Sequence, residues 1–99
     1  MTRRKGELSP RMVDRDWPHQ VAFPAERTMG DDHKVIREFC RELSLCERGH
    51  TVQRDDRTYR VFCFADPSHA DLFRQRFGGE PFDPKDRGRG REWHHWRIS

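Results

Sequence analysis

The chain has 99 residues, 32% hydrophobic and 37% charged, which leaves room for one small domain with a thin core and excludes a second. Twenty basic against 17 acidic residues give a net charge of +3, far short of a histone-like polycation. No stretch approaches the ~20 apolar residues that span a bilayer, and no apolar run near the start resembles a secretion signal.

Residues 1–12 read as a basic flexible arm, with Arg3, Arg4, Lys5 and Arg11 and little hydrophobic periodicity. Residues 13–99 read as a single α+β domain. Over 17–23, Trp17, His19, Val21 and Phe23 share one side of a first strand, which Pro24 closes. Asp31 or Asp32 is expected to cap a first helix. Its apolar stripe is Val35, Ile36, Phe39, Cys40, Leu43 and Cys46, and Gly49 is its stop signal. Residues 50–54 form a weak second strand, and Asp55-Asp56 turns it into the next. A two-residue turn sets Val52 beside Tyr59, whereas a three-residue loop sets it beside Arg60.

The stretch Arg57–Phe64, RTYRVFCF, is the plainest strand, rich in aromatic and β-branched residues. Asp66 is placed to cap a second helix and Pro67 to open it. Ala70, Phe73 and Phe77 fall on one helical face, and Gly78-Gly79 ends it. Residues 80–91, EPFDPKDRGRGR, read as a basic Gly/Pro loop with Phe82 folded back as an anchor. Residues 93–98, WHHWRI, read as the last strand. The order is βαββαβ. It predicts a ferredoxin-like fold, a four-stranded antiparallel sheet with two helices on one face and the other face open.

At Arg57-Thr58-Tyr59-Arg60-Val61-Phe62-Cys63-Phe64 the chain resembles the RNA-recognition-motif family, and ferredoxin-like modules more widely. Arg57, Tyr59 and Phe64 match that family's third-strand pattern, while Thr58, Arg60, Val61 and Phe62 depart from it. The junction 65–70, with Gly79 beyond it, is also similar. RRKGELSP and DRDWPHQVAF resemble stretches of small bacterial proteins that imply no activity. The family resemblance implies that Phe62 and Phe64 face the helices with Val21, Phe23, Phe39 and Phe73. It leaves Tyr59, Val61 and Cys63 on the open face, joined there by Trp93, His95 and Arg97.

Catalytic and metal chemistry find little support. Cys40, Cys46 and His50 give C-x5-C-x3-H, which fits no common zinc finger, and both cysteines fall on the apolar helix stripe. Three cysteines at no disulfide-framework spacing fit a reducing, cytoplasmic setting. His94 and His95 are neighbours on a strand and point to opposite faces, so they cannot chelate together. The carboxylates fall in turns and caps, with neither a phosphate loop nor a nucleophile elbow. No enzyme and no cofactor is expected.

Arg87, Arg89 and Arg91, hinged by glycines, suit a phosphate backbone. The expected function is single-stranded nucleic-acid or RNA binding. Tyr59 and Trp93 would stack on bases, and Arg57, Arg87, Arg89, Arg91 and Arg97 would hold phosphates. The alternative is a protein-interaction or homodimerisation module using the same sheet face. No membrane partner is expected.

Overall fold

A computed structural model describes residues 10–46, 49–86 and Trp96. Helix α1 spans Pro10–Asp16, followed by strand β1 at His19–Pro24 and a 3-10 turn at Ala25–Thr28. Helix α2 is Asp31–Cys40, and β2, His50–Arg54, pairs with β3, Arg57–Phe64. Helix α3 is Pro67–Phe77, β4 is Glu80–Phe82, and a short 3-10 turn follows at Pro84–Asp86. The four strands form one antiparallel sheet in the order β2-β3-β1-β4. Among the described residues no helix is long and apolar enough to cross a membrane.

Asp55 and Asp56 have φ of 54° and 62°, so both central residues of the hairpin turn are left-handed. Aspartate tolerates that region better than most residues, and two such residues match the twist of a two-residue hairpin. The register therefore sets Val52 opposite Tyr59.

Helix α3 starts as its sequence dictates. Asp66 accepts the Ser68 N–H at 2.9 Å, Pro67 occupies the first turn, and Gly78 ends the helix at φ 97°. The start of α2 differs from expectation. Gly30 holds its cap position at φ 62°, and neither Asp31 nor Asp32 makes a capping bond. Both acids still lie in the first turn, where they favour the positive end of the helix dipole. Val35, expected on the apolar stripe, is exposed.

One sheet face carries Val21, Phe23, Phe62 and Phe64, packed with Ile36 and Cys40 of α2 and Ala70 and Phe73 of α3. Phe39 and Phe77 are half-buried at its margin, their rings 5.2 Å apart edge to face.

Three expectations need correction. The face expected to stay open is a second core, in which Val13 of α1 packs with Ala22, Val52, Tyr59, Val61, Phe82 and Trp96. Helix α1 overlaps the expected flexible arm, whose residues 1–9 lie outside the described part. Seven residues are too few to display helical periodicity, although Pro10 suits a first helical position. The strand paired with β1 on its outer side is Glu80–Phe82, inside the expected loop. A proline is tolerated on an edge strand because its missing N–H costs no ladder bond. The expected last strand, 93–98, lies outside the described residues except for Trp96, whose N–H donates to the Gln53 carbonyl at 3.0 Å.

Candidate nucleic-acid interface

Along β3, Arg57, Tyr59, Val61 and Cys63 face the α1 side, and Thr58, Arg60, Phe62 and Phe64 the α2/α3 side. Tyr59 is only 7% exposed. Its ring meets Trp96 edge to face at 5.2 Å, and Arg54 Nη2 reaches its hydroxyl at 3.4 Å. The Arg54 guanidinium lies 4.0 Å from the Trp96 ring centroid and makes a two-point pair with Glu80, at 3.0 and 3.4 Å. Arg54 belongs to one sheet edge and Glu80 to the other, so this pair ties the edges together over Tyr59 and Trp96. A ring enclosed in this way offers no platform for a base, which corrects the expected exposure of Tyr59. Arg57 is exposed at the hairpin end. Arg87, Arg89, Arg91, Trp93 and Arg97 lie outside the described residues.

Gln20 shows why α1 seats on this face. Its side chain is buried on β1, and its amide donates to Asp14 Oδ1 and to the Trp17 carbonyl, both at 3.0 Å. A buried amide left unpaired is costly, so these bonds fix the entry of α1 into the sheet.

The basic groove opens beside α2 at the sheet margin, where Cys46, Val61 and Cys63 also reach it. A cavity of about 790 Å³ opens between α2 and β3. Lys34 and Arg37 line it from α2, Arg41 from just past the end of that helix and Arg60 from β3, and all four are exposed. Leu43, Leu45, Val61 and Phe62 also line it. Glu38 is the one carboxylate among the lining residues described, and it pairs with Arg41 at 3.4 Å between exposed side chains. An exposed pair of this kind is weak and readily exchanged for a phosphate. The sequence shows Arg37 and Arg41 on the wet face of the helix, but only the fold brings Arg60 across from them.

A second cluster has the residue types of a nucleophile with its base. Ser44 Oγ accepts N–H groups from Ala65 at 3.1 Å and Asp66 at 2.9 Å, which fills both of its lone pairs. Ser44 Oγ also lies 2.9 Å from His69 Nδ1, whose single lone pair accepts the Ser44 N–H at 2.9 Å. His69 therefore carries its own proton on Nε2, 3.8 Å from Asp66 Oδ2. With both lone pairs engaged, Ser44 serves as a knot joining the end of α2, the end of β3 and the start of α3.

Burial pushes the Cys40 thiol up to about 11, the response of a sulfur removed from water. Among the described residues, no group of three or more His, Cys, Asp or Glu side chains is placed to hold a metal. No family model matches the chain, and neither a curated protein nor a solved structure matches it.

Proposed function

We propose that the protein is a non-enzymatic module on a ferredoxin-like fold that binds single-stranded nucleic acid in the groove between α2 and β3. The strand order β2-β3-β1-β4, with α2 and α3 on one face, supports the fold assignment. The observation that carries the function is the convergence of Lys34, Arg37, Arg41 and Arg60 on one groove with one carboxylate among its described lining residues. Exposed cations grouped this way attract phosphates and release their counterions on binding. A groove of about 790 Å³ has room for part of a single strand. The exposed Arg57 and the basic run Arg87, Arg89 and Arg91 are proposed as further phosphate contacts. The interaction-module alternative draws less support, because the apolar sheet face it would use is filled by Val13, Phe82 and Trp96.

The test is a salt series of binding to a labelled mixed-sequence single strand. Affinity should fall as salt rises. Replacing Lys34, Arg37, Arg41 and Arg60 by Gln should lower the logarithmic slope by about 0.7 for each phosphate no longer neutralised. Absence of salt-sensitive binding by the wild-type protein at low ionic strength would remove the proposal.

A further inference from the structure

On the same sheet face as Arg60, the β2–β3 hairpin presents two cross-strand pairs, Thr51 opposite Arg60 and Gln53 opposite Thr58. All four residues are exposed, so this end of the face is left uncovered beside the cationic groove. Strand alternation turns the exposed Gln53 side chain to the same side as Thr58, away from the buried Val52. We infer that this hairpin surface reads the sugar of the bound strand and makes the groove prefer RNA to DNA. The inference rests on the groove being a nucleic-acid site.

The chemistry available beside the groove favours a sugar contact over a base contact. No aromatic ring among the described residues stands exposed, so base stacking, the usual grip on single strands, has no platform there. Beside the cations, and outside the His33 and Glu38 that line the groove itself, the hairpin offers two hydroxyls and a primary amide. Each both donates and accepts, as does the ribose 2′-hydroxyl, the group that tells RNA from DNA. Arg60 sits between Thr51 on the neighbouring strand and the α2 cations across the groove. A phosphate held by Arg60 therefore brings its own ribose toward the Thr51, Gln53 and Thr58 side chains.

The experiment compares a mixed-sequence oligoribonucleotide with its deoxy counterpart, for the wild-type protein and for the Thr51→Val, Gln53→Met, Thr58→Val triple variant. The substitutions hold size and strand propensity, and a thermal melt checks that the variant is folded. The wild type should prefer RNA by about fivefold or more, the worth of one net hydrogen bond. The triple variant should bind both strands alike, with its salt slope unchanged. Thr58→Val alone, a near-isosteric exchange, should reduce the preference in part and keeps the test available if the triple variant unfolds. Equal binding of RNA and DNA by the wild type, or a preference that survives the triple change, would overturn the inference while leaving the groove intact. Loss of all salt-sensitive binding in the wild type would instead strike the groove itself.

Discussion

Gly79 stands at φ 103°, and a Cβ there would lie 2.8 Å from Val21 Cγ1 and 3.1 Å from the Ala22 carbonyl oxygen. Both the backbone angle and the space forbid a side chain, since β4 must approach β1 closely to pair with it. Gly79→Ala should therefore destabilise by roughly 1–3 kcal/mol, read as a lower urea midpoint. Gly78, at φ 97° with open space around it, should show the angular penalty without the clash. Asp66 acts through charge as well as shape. Bonds from the Ser68 hydroxyl and N–H hold its carboxyl below the usual aspartate range. A depressed carboxyl stabilises fully above the unfolded value near ~3.9, and the effect is lost as pH falls through the lower folded value. Asp66→Asn, which can still cap but carries no charge, should flatten the acid limb of a stability-against-pH curve by lowering stability at neutral pH while changing little at low pH. Cys40, with its thiol pushed up to about 11, should alkylate slowly at mildly alkaline pH and rapidly once denatured.

Phe73 is the element-scale centre of the helix-side core. It touches Phe23, Phe62, Phe64 and Phe77 with ring centroids 4.9 to 5.8 Å apart. Phe73→Ala should cost roughly 3–5 kcal/mol, measured by denaturation. That is a large share of what so small a domain has to lose. Phe39→Ala should cost less, since Phe39 is only half-buried. On the other face, Val13→Asp should lift α1 from the sheet, because a carboxylate cannot be solvated among Val61, Tyr59 and Trp96. The checks are dye binding and a change in tryptophan emission. Much of this layer was legible in the sequence. The alternation in Arg57–Phe64, the Asp66-Pro67 start and the Phe73 face all rest on local periodicity and capping. Helix α1 and β4 were not legible, because seven and three residues are too short to declare a period and tertiary contact decides them.

The candidate site was less legible than the fold, and for a physical reason. Arg60 in the sequence is only a departure from a strand motif, and Arg37 and Arg41 are only solvated helix charges. Their meeting depends on how α2 crosses the sheet, which no spacing along the chain records. The same holds for Tyr59, whose strand position is clear but whose cover, Trp96 and the Arg54–Glu80 pair, comes from distant residues. The described residues thus separate into a closed aromatic face under α1 and a basic groove beside α2. Amide chemical-shift mapping with a single-stranded oligonucleotide tests that division most directly. Perturbations should concentrate at Lys34 and Arg37 of α2, at Arg41 after it and along Thr51 to Arg60, with Val13 and Asp14 of α1 unmoved. Perturbations centred on α1 and Trp96, or none at saturating oligonucleotide and low salt, would contradict the proposed groove.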